Sequence, residues 1–256
     1  MPTRFAHGAI AAAIAALFSG SASAASIDLL TLNRVGSATM AGGDLQLTRN
    51  SGSAGAGWLT QTIPTTESFS ATFSFSLLGN GFNGKMADGI ALVFQNQGDN
   101  VVGNGGGDLG YWNIGGSGAS AVGSIIRSWD NNAVGLSTNG VVQGVKSAGF
   151  SLGAANYVTG TETVTYNALT HELTMGGTLI DHSTGLSYAV SDAASVDLNA
   201  KYGGAMYIGF TGGTGGSYAD QRITGFSVSA VPEPATYAML MGGLGLVGWA
   251  SRRKRR

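Results

Sequence analysis

Catalysis needs nucleophiles, acids, bases or metal ligands held close together, and this sequence keeps such residues apart. Glu67, Glu162 and Glu172 each stand away from other acids. Cleaving a glycosidic bond takes two carboxyl groups about 5 Å apart, and acids at alternate positions of one strand would supply them on one face. No such run occurs. His171 and His182 have no nearby Ser or Cys pattern that suggests a triad. Cys is absent altogether, which removes a thiol nucleophile, a thiolate zinc site and a disulfide scaffold. Three His leave little material for a histidine-rich metal centre. The expectation is a protein that is not an enzyme.

The two ends are organised differently from the middle. Residues 1–25 start with one cation, Arg4, run through the apolar AIAAAIAALF and close on SGSASAAS. That layout is a secretory signal peptide with cleavage near Ala24 or Ala25. At the other end, Pro232, Glu233 and Pro234 stop any preceding strand because proline removes backbone donors. Ala235 to Ser251 is a 17-residue uncharged stretch, at the short limit for a transmembrane helix. The five cations at 252–256 should stay on the cytoplasmic side. Segment 231–256 resembles a PEP-CTERM sorting signal, with its VPEP box, short span and basic tail. That resemblance implies a Gram-negative bacterium, processing by an exosortase, and only transient residence in the inner membrane.

The chain has 256 residues, 43 of them Gly, and only 11% are charged. The length gives room for a real core. Glycine at this density without a three-residue period excludes collagen and disfavours helices. Setting aside Arg4, the tail cations and Glu233 leaves seven bases against thirteen acids, so residues 26–230 carry about −6. A mildly acidic module without a basic cluster has no electrostatic case for nucleic acid.

Within that module SFSATFSFSL (68–77) alternates strictly, with Phe69, Phe73, Phe75 and Leu77 on one face and Ser or Thr on the other. Further strand-like runs are GIALVFQ (89–95), TETVTYNA (161–168), HELTMGG (171–177), AMYIGFTG (205–212) and RITGFSVSA (222–230), separated by turn residues. They predict one all-β sandwich or jelly roll. The glycine-dense stretch 98–118 is either a flexible connection or a place where backbone approaches something closely.

In order along the chain, DLQLTRNSGSAGAGWL (44–59), SFSATFSFSL, ADGIALVFQ (87–95), GGGDLGY (105–111), VGLSTNG (134–140), TVTYNALTHELTMG (163–176) and YIGFTGGTGGSYADQRITGFSVS (207–229) resemble the legume-type (L-type) lectins. The resemblance implies a concanavalin A-like jelly-roll sandwich with a flat back sheet, a curved front sheet and a small top sheet. It also implies a sugar site on four loops. There Asp88 accepts from sugar hydroxyls, Gly107 donates its backbone N–H, Trp129 packs on the ring and Asn131 bonds the sugar. Gly213 and Thr214 belong to the specificity loop. Tyr111, Trp112 and Tyr218 are either sugar-stacking residues or ordinary packing.

The sequence departs from the family where the resemblance implies a transition metal and a calcium. Ile125, Arg127 and Ala133 stand at positions of metal-binding Glu, Asp and His. Aliphatic side chains offer no lone pairs, a guanidinium repels dications, and calcium asks for six to eight oxygens. The expectation is no cofactor, with a noncanonical calcium at Asp130 and Asn131 as the alternative. Losing calcium would leave the Ala87–Asp88 bond, implied to be cis, free to be trans, unless Arg127 pairs with Asp88 or Asp130 and holds the loop. Two functions remain: a lectin for exopolysaccharide or envelope glycan at the cell surface, or a structural matrix protein that keeps the sandwich without binding.

Overall fold

The computed structural model describes residues 25–79, 85–116, 118, 120–129, 132–142 and 146–231. Residues 1–24 of the expected signal peptide, the segment 232–256, and the candidate ligands Asp130 and Asn131 lie outside those residues. Among the described residues, no helix is long and apolar enough to cross a membrane.

Sixteen strands are described: β1 (Ala25–Ser26), β2 (Asn33–Gly36), β3 (Thr39–Ala41), β4 (Asp44–Thr48), β5 (Ala54–Trp58), β6 (Ile63–Pro64), β7 (Phe69–Gly79), β8 (Gly89–Gln95), β9 (Val122–Arg127), β10 (Ala133–Ser137), β11 (Lys146–Ser147), β12 (Tyr157–Asn167), β13 (Glu172–Asp181), β14 (Leu186–Ser195), β15 (Ala205–Gly213) and β16 (Ala219–Ala230). All pair antiparallel, in two sheets rather than three. One runs β14-β13-β12-β7-β16-β4-β3 with β1 on β16, and the other β11-β10-β9-β8-β15-β5-β2 with β6 on β15. A short α-helix, α1 (Leu198–Tyr202), is started by the Asp197 carboxylate accepting from Ala200 N at 2.8 Å.

The first sheet is built as the alternation requires. Along β7 the residues from Phe69 to Leu77 alternate between buried and half-buried, and Phe69, Phe73, Phe75 and Leu77 enter the space between the sheets. There they meet Phe94, Phe210 and Phe226, with Phe210 and Phe226 edge to face at 4.8 Å. Each such ring removed from water contributes about 1.5–3 kcal/mol.

The second sheet is covered on both faces. Every residue of β8 is buried: Ile90, Leu92 and Phe94 enter the main core, while Ala91 and Val93 join a second cluster. That second cluster answers the question left open by the glycine-dense stretch. Leu109, Tyr111 and Ile114 pack against Ala91, Val93 and Ile125, and the Trp58 indole donates to Val101 O at 2.7 Å. The stretch is a close backbone cover. Tyr111 is fully buried, its hydroxyl 3.0 and 3.1 Å from the carbonyl oxygens of Ala121 and Ser137, so it is a core residue.

Candidate functional site

The sheet register sets the site. Gly89 at the head of β8 lies opposite Arg127 on β9 and Gly213 on β15, and Arg127 lies opposite Ala133 on β10. Three sequence-distant segments therefore end side by side, and their loops are tied by backbone bonds. Asp88 N donates to Gly213 O at 3.0 Å, Ser128 N to Asp88 O at 2.8 Å, and Gly106 N to Thr214 O at 3.1 Å. The Ala87–Asp88 peptide bond is cis, the isomer that the resemblance implies.

A residue that sequence reasoning missed joins two of these loops from below. Gln221 on β16 is fully buried, and its Nε2 donates to Ala87 O at 3.1 Å and to Gly213 O at 3.0 Å. In the sequence it is an inward position of an ordinary strand, with no local signal.

The predicted site residues take different parts. The Asp88 side chain is 5% exposed, and its Oδ2 would lie 3.3 Å from a methyl placed on Gly215, so the carboxylate faces the 213–216 loop. Trp129 is half-buried with Lys85 Nζ 5.9 Å from its ring centre, which leaves part of the indole open. A methyl on Gly107 would sit 2.9 Å from Arg127 Nη2, so bare Gly107 is what lets the guanidinium lie against the loop. Thr214 turns away: its hydroxyl donates to Asn50 O and accepts from Ser53 N at 3.0 Å, and the residue is 1% exposed. Gly213 is buried with Leu109 Cα and Gly106 O only 2.7 and 2.8 Å from where its Cβ would be.

That contact gives a test of the loop cluster. Gly213→Ala must push the 105–109 backbone aside, because backbone atoms cannot move as a flexible side chain can. The expected outcome is a melting temperature several degrees lower, as about 1–3 kcal/mol of overpacking implies. An unchanged melt would show that the loops are loosely held.

Beside these residues a cleft of about 400 Å³ is lined by Gly105, Gly107, Asp108, Trp112, Arg127 and Val142, among others. Trp112 is half-buried on its wall. Arg127 was legible as a departure from the lectin pattern. Asp108 and Val142 carried no signal of their own.

The positions implied to hold metal are filled otherwise. Ile125 is fully buried in the second core, Ala133 is 2% exposed, and Arg127 brings a cation. Among the described residues no group of three or more His, Cys, Asp or Glu could hold a metal ion.

Comparison with known proteins gives the frame. The legume lectin domain matches residues 17–239 and the PEP-CTERM protein-sorting motif residues 230–256. The motif indicates export and sorting to the cell envelope. Among solved structures, basic winged bean lectin with Tn-antigen is 20% identical at a TM-score of 0.67, covering 82% of this chain and 99% of that one. The Bauhinia forficata lectin in complex with GalNAc is 24% identical at 0.64, covering 82% and 99%. Lectin I-B4 from Griffonia simplicifolia in its metal-free form is 20% identical at 0.63, covering 79% and 94%.

Proposed function

Because the chain belongs to the legume lectin domain family, a family of non-enzymatic carbohydrate-binding proteins, we propose that it is an exported lectin whose sugar site is the loop cluster around Asp88. The observation that carries this reading is convergence. Asp88, the backbone of Gly105–Gly107, the partly open Trp129 and Arg127 come to one end of the second sheet from separate segments. A carboxylate there is an acceptor of charge-assisted hydrogen bonds from sugar hydroxyls. An indole edge covers the apolar face of a ring.

The site works without cations in this proposal. Ile125 and Ala133 cannot ligate, Arg127 places positive charge where cations would add to it, and hydrocarbon packing around Tyr111 and Ile125 supports the loops. A lectin sandwich does not require metal to exist, as the metal-free Griffonia lectin of the same fold illustrates. The proposal also includes cleavage of the 1–25 leader, brief anchoring by 235–251, exosortase processing at Pro232–Pro234, and delivery to the surface or polysaccharide matrix of a Gram-negative cell. Exopolysaccharide or envelope glycan is then the ligand within reach.

The test is Asp88→Ala. Loss of one charged hydrogen bond of about 2 kcal/mol lowers affinity about 30-fold, so sugar binding measured by calorimetry should fall at least that far while the fold persists. Equal affinity would contradict the site. One observation favours a second reading, a matrix protein that no longer binds: the Thr214 hydroxyl is engaged by Asn50 and Ser53 rather than open to a ligand. That reading expects no sugar to bind the wild type.

A further inference from the structure

We infer that the outer face of the first sheet carries a second saccharide site, a groove for an extended neutral glycan chain. The groove holds about 690 Å³, larger than the cleft beside Arg127 and inside the range of about 300–1,000 Å³ for ligand sites. It crosses five adjacent strands, β13, β12, β7, β16 and β4, a distance of about 19 Å at the usual strand spacing. That shape suits a chain of sugars lying across the strands better than one enclosed ring.

Its lining matches a polyol. Short hydroxyl side chains form the floor, with Ser74 and Thr161 joined across strands at 3.0 Å. Ser76, Thr178 and Thr224 make no side-chain hydrogen bond among the described residues, so each offers a donor and an acceptor. At one end Arg222 makes two parallel bonds to Asp220, at 2.9 and 2.7 Å, with Asp44 at 3.7 Å. Two carboxylates around one guanidinium leave no surplus positive charge, which disfavours an anionic ligand and leaves acceptors for sugar hydroxyls. Two strands away, on β12, the groove has an aromatic wall. Tyr157, 37% exposed, stacks on His182 at 4.3 Å, and the His182 Nε2 lies 2.8 Å from Thr159 Oγ1. A ring fixed in this way can lie against pyranose C–H groups without losing further freedom.

This inference deepens the lectin reading and shares its ligand class, but it uses the opposite sheet. One molecule would then hold two chains at once and cross-link them. The experiment uses the purified full-length chain and a panel of soluble neutral linear polysaccharides, followed by affinity electrophoresis and turbidity. Thr161→Arg fills the groove, Tyr157→Ala removes its wall, and Asp88→Ala disables the first site. Circular dichroism melts confirm that each variant folds.

Expected results are cross-linking by the wild type, at least 10-fold weaker retardation when Thr161→Arg or Tyr157→Ala is added to Asp88→Ala, and no turbidity from either single-site variant. Asp88→Ala alone abolishing all retardation would overturn the groove and leave the first site standing. Retardation lost with Thr161→Arg but kept with Asp88→Ala would instead contradict the first site. A shift of Thr161→Arg from dimer to monomer by sedimentation, with retardation unchanged, would make this face a contact between copies and overturn the inference. So would wild-type binding that neither groove variant alters.

Discussion

Replacing Glu162 with Gln is expected to flatten the stability of this protein between pH 5 and 8, where the wild type steadily loses it. Glu162 is an inward position of β12, fully buried between the sheets. Its Oε2 accepts from Ser124 Oγ on β9 at 2.8 Å, and its Oε1 has no hydrogen-bond partner among the described residues. Desolvation is the dominant influence, opposed only by the Ser124 bond, and pushes the carboxyl up to about 8. The folded state therefore keeps a proton that the unfolded chain releases above about 4.5. The stabilising effect is complete below about 4.5 and is lost progressively until about 8. At about 1.4 kcal/mol per unit, the total is about 5 kcal/mol. Glutamine keeps an acceptor for Ser124 and does not titrate. Urea unfolding at pH 5, 6.5 and 8 measures it: a wild-type midpoint that falls steeply and a variant midpoint that does not. Parallel pH profiles would show that Glu162 titrates normally in the fold.

The second large effect belongs to Gln221. Its amide group donates to Ala87 O and Gly213 O, the carbonyls that flank the two loops of the candidate site. Gln221→Leu keeps nearly the same volume and removes both donors from this fully buried position. Gly213 O keeps the Asp88 N–H, so the loss falls on Ala87 O, and a buried acceptor without its donor costs about 1–3 kcal/mol. The variant is expected to unfold at much lower urea and, where folded, to exchange the Asp88 and Gly106 amides faster. Hydrogen exchange on those two amides separates loop loosening from general destabilisation. Unchanged exchange and midpoint would mean that the backbone bonds alone fix the loops.

Much of the fold was legible because its strands are alternating or continuous apolar runs bounded by turn residues. GIALVFQ coincides with β8, and SFSATFSFSL covers most of β7. The β14 strand escaped notice because LSYAVSDAAS carries small residues in place of large apolar ones, and it pairs only along one edge. The glycine-dense cover over the second sheet was ambiguous for a related reason. Its anchors Leu109, Tyr111 and Ile114 follow no period, although their partners Ala91, Val93 and Ile125 lie on the two strands that flank the stretch. A hint was present in the unbroken apolar run of β8, since a strand without alternation is buried on both faces.

The site was legible only through resemblance. Asp88, Gly107 and Trp129 sit in unrelated segments, and nothing local says that β8, β9 and β15 end together. Register does that. Gln221 and the groove around Arg222 are the opposite case: ordinary strand residues whose role appears only when two loops or five strands are seen side by side.

The central claim is sugar binding held by side chains and backbone without metal. It is tested most directly by screening the purified protein on a glycan array in calcium, then repeating the screen in excess chelator. The account predicts the same glycans bound at the same strength in both conditions. Binding that disappears in chelator would contradict it and point to a calcium site at Asp130 and Asn131. A folded protein that binds nothing in either condition would contradict the lectin reading itself.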